Sequence, residues 1–578
     1  MSARHPRLVP LALVGAVLGA LLACTPTLDP PISAAHDSSS AEASVPQGGG
    51  IMHLSSFADI RSLDPASLSD GLVPEMLEAI YAGLVDFDDA GNVVPDLAER
   101  METLDGGKLY RFTLRRGVKL HDGAELTADD VVRSIERALH PSTPNSYTSF
   151  FSSIAGYEAY TKERTPHLEG VRARGTYEVD IALSAIDVTF LSALALQVTR
   201  PVCQSGGTRF AASFVPCGAG PFRLAPDGWQ RGRELRLLRH DGYFARSRVH
   251  LDGITWAFKL NVKTELFKFM NGEIDMLRDF GAVDAQRLLA DPRWRALGAY
   301  EPEKQMGGEV LNTEVAPFDN VEIRRAIASA IHRDHLALAR STNLRASGNP
   351  LPRVAGALAD RACQTYDYPA ALEHMRRAGF AYDPVTKRGG YPHAIPYVAY
   401  RQGVGAELVQ LVAQDLAKIG IALDVRVVSY PAYLALSQRR HGTAMSPYGW
   451  LLEFPEPQSL LFPLFHSKSM AEDDSNNSAF YANAEVDAAL DAAKHEPDEA
   501  VRRAHYERVV DRVCSDAPWA FTYGYRFYDV RQPYVRGYVP HPMWAHHVSF
   551  AWLDREPPGA SKHARATLVA PSMGVVAR

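Results

Sequence analysis

An α/β architecture, with sheets flanked by helices, is the fold class predicted for this chain. Helical and strand periodicities alternate along most of its length, and no repeat of fixed period replaces them. The third observation is size. At 578 residues the chain is too long for one hydrophobic core and predicts two or three domains.

The first element is an export signal. Arg4, His5 and Arg7 precede an apolar run over residues 8–22, which closes on Leu21, Leu22, Ala23 and Cys24. A charged region, an apolar region and a small-residue cleavage site in that order predict a signal peptide over residues 1–23. The run is short for a membrane span, which needs about 20 apolar residues, and no positively charged stop follows it. The cleavage site resembles a bacterial lipobox, which makes Cys24 the lipid attachment point. Residues 24–50, rich in Pro, Ser and Ala and closing on Gly48, Gly49 and Gly50, predict a flexible tether. Residues 556–578, opening on Glu556, Pro557, Pro558 and Gly559, lack apolar periodicity and predict a disordered tail.

Between the ends, Met76, Leu77, Ile80, Tyr81 and Leu84 recur at helical spacing after Pro74, which suits a first helical turn. Tyr110, Phe112 and Leu114 alternate with Arg111, Thr113 and Arg115, the signature of a half-buried strand. Thr127 with Asp130 marks a helix start, and Val131, Val132, Ile135 and Leu139 form its buried stripe. A helix over 406–419 stops at Gly420. The strand after it carries Ile421, Leu423, Val425 and Val427 inward and Ala422, Asp424 and Arg426 outward.

Composition narrows the function. Lys and Arg number 61 against 67 Asp and Glu, a net charge of −6, and no basic stripe stands out, which argues against a nucleic-acid partner. Setting Cys24 aside leaves Cys203, Cys217, Cys363 and Cys514, an even number that an oxidising compartment allows to pair. Four cysteines have three connectivities. Cys203 with Cys217 closes a short loop and so orders the least chain; free buried thiols are the alternative. None of the spacings is CxxC, and neither a zinc site nor another metal centre is expected.

Strings that look catalytic lack their context. His332-Arg333-Asp334-His335 suggests a kinase catalytic loop or a histidine pair for a metal, but it falls in a helical pattern with no glycine-rich phosphate loop before it. Gly218-Ala219-Gly220 lacks the third glycine of a dinucleotide fingerprint, and Pro221 removes an N–H beside it. GxSxG and HExxH are absent from the sequence. No catalytic residue and no cofactor are expected.

An ordered series of motifs resembles bacterial extracellular solute-binding protein family 5, which includes the periplasmic oligopeptide- and dipeptide-binding proteins. It begins with Leu63-Asp64-Pro65-Ala66, Ile80-Tyr81-Ala82-Gly83-Leu84-Val85 and Val94-Pro95-Asp96-Leu97. The densest block runs from Tyr110 to Gly123 and continues into Thr127-Ala128-Asp129-Asp130-Val131-Val132. Gly218-Ala219-Gly220-Pro221-Phe222, then Pro317-Phe318-Asp319-Asn320, then Lys418-Ile419-Gly420-Ile421 extend it, and the likeness covers residues 51–552.

The resemblance implies a two-lobed periplasmic-binding-protein fold (type II, the three-domain, pear-shaped variant) with a ligand cleft between the lobes. It implies a discontinuous domain I over 51–92, 208–302 and 520–555, a domain II over 93–207 and a domain III over 303–519. Such lobes close on ligand about a hinge, and ligand must favour the closed form for closure to follow. The implied function is that of an exported, lipid-anchored and monomeric component of an ABC importer. It captures a peptide and hands it to a membrane permease.

The resemblance also nominates the site. Trp450 and Glu453 match a tryptophan and a carboxylate three residues later on the cleft wall, where the carboxylate of peptide binders holds the peptide ammonium. Two such charges about 4 Å apart attract by roughly 4 kcal/mol at an effective dielectric of about 20, before desolvation. Peptide binders usually carry Asp at the position of Glu453, and the extra methylene moves the charge by roughly 1.5 Å. Tyr147 matches a tyrosine reaching the cleft from the second domain. Ser69, Asp70 and Gly71 match a loop beside the bound backbone. Arg401 lies near an arginine that dipeptide binders use for the peptide carboxylate, and Arg439 and Arg440 raise the same possibility.

Competing expectations are a nickel chelate, an opine or an oligosaccharide as ligand, since fold does not fix ligand. A hydrolase using Glu453 with Glu456, or a surface interaction protein, is the alternative outside the binding class.

Overall fold

The computed structural model describes residues 46, 48–56, 59–67, 74–145, 147–278, 282–339, 343–361, 363–400, 405–544 and 547–554. The signal peptide, Cys24, most of the tether, the C-terminal tail, and the site candidates Ser69, Asp70, Gly71 and Arg401 lie outside the described residues.

The chain opens with β1 (Ile51–Ser56) and α1 (Pro74–Ile80), then enters an antiparallel sheet. That sheet is made of β2 (Ala98–Leu104), β3 (Leu109–Leu114), β4 (Val171–Ala173) and β5 (Glu178–Ala182), in spatial order β2-β3-β5-β4. β3 buries Tyr110, Phe112 and Leu114 in strict alternation, as its period requires. Between β3 and β4 runs α2 (Ala128–Leu139). Its start is a reciprocal cap: the Asp130 carboxylate accepts the Thr127 backbone N–H at 3.1 Å and the Thr127 hydroxyl at 2.8 Å.

The chain then returns to β1. Strands β6 (Phe222–Gln230), β7 (Glu234–Arg239) and β8 (Gly253–Phe258) complete a four-stranded sheet in the order β1-β8-β7-β6, with β1 parallel to β8. Two short strands, β9 (Met276–Arg278) and β10 (Gly298–Tyr300), follow.

From Gln305 to Tyr525 the chain builds a second lobe. Its six-stranded sheet contains β11 (Gln305–Leu311), β12 (Leu344–Ala346), β13 (Ile395–Tyr400), β14 (Leu423–Val428), β15 (Met445–Leu451) and β16 (Trp519–Tyr525), in the order β12-β16-β11-β15-β13-β14. The helices used below are α3 (Gly405–Ala417), α4 (Tyr430–Ser437), α5 (Ala484–His495) and α6 (Glu499–Asp516). Finally β17 (Tyr528–Arg531) returns to the first lobe and pairs with both β9 and β10.

Two expectations shift. Strand Trp519–Tyr525 belongs to the six-stranded sheet, pairing with β11 and β12, so the chain leaves the second lobe after Tyr525 rather than at 520. On β14 the predicted alternation holds through Arg426, but Val427 points outward at 44% exposure; β14 is an edge strand with one neighbour. Gly420 after α3 sits at φ 80, the left-handed conformation expected of a helix stop. The histidine string breaks differently from its helical pattern: one helix ends at Ala330, the next starts at Arg333, and His332 lies between.

Disulfides join Cys203 to Cys217 and Cys363 to Cys514. The second ties α6 to the segment after Asp360. Among the described residues no helix is long and apolar enough to cross a membrane.

Candidate ligand-binding site

Strand register places one end of the six-stranded sheet at the junction of the lobes. Strands β13 and β14 are parallel and finish together at Tyr400 and Val428, and β15 runs parallel to β13. The antiparallel neighbours bring Gln305 opposite Leu451 and Tyr525, and Leu344 opposite Tyr525. Both crossings between lobes, 300–305 and 525–528, therefore leave from this end. The Glu301 N–H donates to Phe527 carbonyl oxygen at 2.9 Å, so the crossing segments run side by side. Ligands of open α/β sheets bind at the carboxyl ends of strands, and here three parallel strands end where the lobes join.

Glu453 follows β15 by two residues. It is half-buried, and its carboxyl accepts a hydrogen bond from the Tyr147 hydroxyl. Burial pushes the Glu453 carboxyl up to about 8, opposed by that hydrogen bond. At pH 7 the group is thus mainly neutral, and a cation brought beside it would favour the carboxylate. Tyr147 belongs to the first lobe, so two of the residues nominated from sequence meet across the junction. Beside them Phe454 is fully buried among first-lobe residues, with its ring 5.2 Å from that of Phe150 in an edge-on arrangement.

Trp450 lies on β15 opposite Met306 and is half-buried. Its indole nitrogen is buried and meets no acceptor among the described residues. A donor in that state is costly unless something else satisfies it. Tyr448, two residues back on the same strand face, stacks at 6.5 Å.

The other basic candidates turn elsewhere. Arg439 pairs with Asp473 at 2.7 Å, and Arg440 grips Glu314 through two bonds of 2.8 Å and Glu472 through one of 2.7 Å, all within the second lobe. Glu456 is not paired with Glu453 as an acid and base would be: it faces Arg502 at 3.4 Å, while Glu453 faces Tyr147. His332 and His335 stack face to face at 3.6 Å with an interplanar angle of 1°, so their rings lie flat on each other rather than converging on a shared ion.

A second junction contact was not foreseen from sequence. Lys494, near the end of α5, reaches Asp187 of the first lobe at 3.4 Å and donates to Ser152 Oγ at 3.2 Å. Its carbonyl accepts the Val188 N–H at 3.1 Å, and the adjacent His495 Nδ1 lies 2.5 Å from Ile186 carbonyl oxygen. Asp187 is fully buried and already held by Ser153 Oγ at 2.7 Å and by the N–H and hydroxyl of Thr189 at 3.0 and 2.7 Å. Its own lobe therefore keeps Asp187 in place whether or not Lys494 arrives. No local signal marks this pair, because some 300 residues separate its members and each alone reads as an ordinary surface charge.

Comparison with known proteins gives a consistent picture. The model of bacterial extracellular solute-binding proteins, family 5 Middle, matches residues 92–472. Heme-binding protein A of Haemophilus influenzae is 26% identical over 497 residues, covering 81% of this chain and 85% of the relative. The glutathione-binding protein GsiB of Pectobacterium atrosepticum is 24% identical over 496 residues, covering 83% of this chain and 90% of the relative. Among solved structures, the periplasmic binding protein DppA of Helicobacter pylori, associated with an ABC transporter and in complex with the peptide STSA, superposes with a TM-score of 0.75. It is 22% identical, with 88% of this chain and 99% of that one covered.

Proposed function

Because the chain belongs to the bacterial extracellular solute-binding proteins of family 5, we propose that it captures peptides between its two lobes and delivers them to an ABC permease. The observation that carries this reading is the meeting of Tyr147 and Glu453 across the lobe junction, three residues from Trp450. An incoming peptide ammonium would stabilise the Glu453 carboxylate so that its proton leaves to solvent, form the ion pair, and keep Tyr147 as a hydrogen-bond donor to the same carboxylate. Capture then links three elements from two lobes, which is how a ligand favours the closed form. The indole N–H of Trp450 would find its acceptor on the ligand.

The same reading places the protein in the cell envelope as a monomer, exported by residues 1–23, anchored through lipid on Cys24, and binding without turnover. The two disulfides support an oxidising compartment. The three-domain division is retained with the second boundary moved past Tyr525.

A second reading has its own support. A Glu453 carboxyl neutral at pH 7 can also donate a hydrogen bond, which suits a non-peptide solute that offers an acceptor in place of an ammonium, and one relative named above is described as binding heme. Native mass spectrometry of the chain purified without residues 1–24 separates the two. A ladder of heterogeneous peptide masses on the protein is expected. A single non-peptide mass contradicts peptide capture.

A further inference from the structure

The junction end of the six-stranded sheet carries more aromatic surface than the amine site requires. Tyr400 ends β13. Tyr430 and Tyr433 stand on the first turn of α4, which begins directly after β14. Tyr448 and Trp450 occupy one face of β15. Tyr400 lies 5.2 Å from Tyr430 and 4.7 Å from Tyr433, both tilted or edge-on, and Tyr430 stacks on Tyr433 at 5.9 Å with an interplanar angle of 22°.

This group is fixed to the strand that bears Trp450. The Tyr433 hydroxyl donates to Pro447 carbonyl oxygen, and Gln438 Nε2 donates to the Tyr448 hydroxyl at 2.9 Å. α4 and β15 are thereby held as one rigid wall running from Tyr400 to Trp450. Core packing accounts for Tyr433, which is 1% exposed, and in part for Tyr448 and Trp450, which back onto the buried core with Tyr448 5.8 Å from Trp519; Tyr430 keeps 45% exposure, and Tyr400, Tyr448 and Trp450 stay half-buried. Rings in this geometry interact by their faces and edges, and they offer the same to a further ring.

We propose that Tyr400, Tyr430, Tyr448 and Trp450 form a specificity shelf for an aromatic or flat apolar side chain, two or three residues from the ligand's amine. The assignment rests on peptide capture at Glu453. An extended peptide advances about 3.3 Å per residue, so a chain anchored by its amine beyond the end of β15 carries its next side chains back over Trp450 and Tyr448. Tyr433 and Gln438 act as positioning residues that hold the shelf.

The test uses the chain lacking residues 1–24, freed of co-purified solute and equilibrated with a free-amine tetrapeptide library of the form Ala-X-X-Ala. Retained peptides are sequenced by tandem mass spectrometry. Wild type should enrich Phe, Tyr and Trp at the varied positions by about fivefold. Tyr430→Ala should reduce that enrichment to less than about twofold while still retaining peptides. Tyr430→Phe, which keeps the ring, should preserve it. Retention of peptides with no aromatic bias in wild type, or a bias unchanged in Tyr430→Ala, overturns the shelf and leaves peptide capture standing. Retention of no library peptide by wild type overturns both.

Discussion

Glu309, buried, and Glu453, half-buried, each have a tyrosine as partner, yet their positions differ. Glu309 lies on β11 at 4% exposure and accepts from the Tyr397 hydroxyl at 2.7 Å, with Tyr397 on β13 of the same sheet. Burial lifts its carboxyl to about 7. Glu453 sits past the end of β15, half-buried, and its tyrosine arrives from the other lobe, with burial lifting the carboxyl to about 8. The chemistry of the two pairs is nearly the same. One pair lies within a single lobe and joins two strands of its sheet; the other joins the two lobes.

Substitution should separate the two acids most strongly. Glu453→Gln should weaken binding of a free-amine peptide at least about tenfold, or about 1.4 kcal/mol. Glu309→Gln should leave affinity within about twofold, as titration calorimetry would show. Equal losses would erase the distinction.

The pH dependence of stability sharpens it. Each carboxyl keeps its proton in the folded chain to a higher pH than the usual 4.5, so folding is increasingly disfavoured as pH rises from 4.5 to the folded value. Thermal unfolding of the ligand-free chain should show a midpoint falling between pH 5 and pH 8. Glu309→Gln should make that fall shallower up to about pH 7 and Glu453→Gln up to about pH 8, with the remainder coming from the other buried acids Glu78, Asp96 and Asp275, which burial also raises.

Smaller effects belong to two further residues at the lobe junction, Tyr147 of the first lobe and Lys494 of the second. Tyr147→Phe should weaken peptide binding about fivefold, the worth of one hydrogen bond to a charged group partly replaced by solvent. Lys494→Met should raise the dissociation rate about threefold with the association rate unchanged, since the bridge to Asp187 acts after the lobes have met. Stopped-flow measurements distinguish these. An unchanged dissociation rate would show that the bridge plays no part in holding the closed form.

How much of this was visible beforehand depends on distance along the chain. The β3 alternation, the Thr127–Asp130 cap and the Gly420 stop are local, and sequence read them directly. Tyr147 and Glu453 were reached only through resemblance, because no local pattern joins residues some 300 positions apart. The same distance hid Asp187 with Lys494, whereas Cys363 with Cys514 followed once Cys203 was paired with Cys217. Strand β16 was assigned to the wrong lobe for a related reason. Its near-continuous burial suits any central strand, and only pairing with β11 and β12 decides which sheet takes it.

The central claim is that Glu453 receives the ligand's amine and gives up a proton to do so. Calorimetric titration with trialanine and with N-acetyl-trialanine, at pH 7 in buffers of different ionisation enthalpy, tests it most directly. The free-amine peptide should bind at least about tenfold more tightly and release most of one proton, because a carboxyl at about 8 is mainly protonated before binding. Equal affinity for the two peptides, with no proton released, would contradict the account.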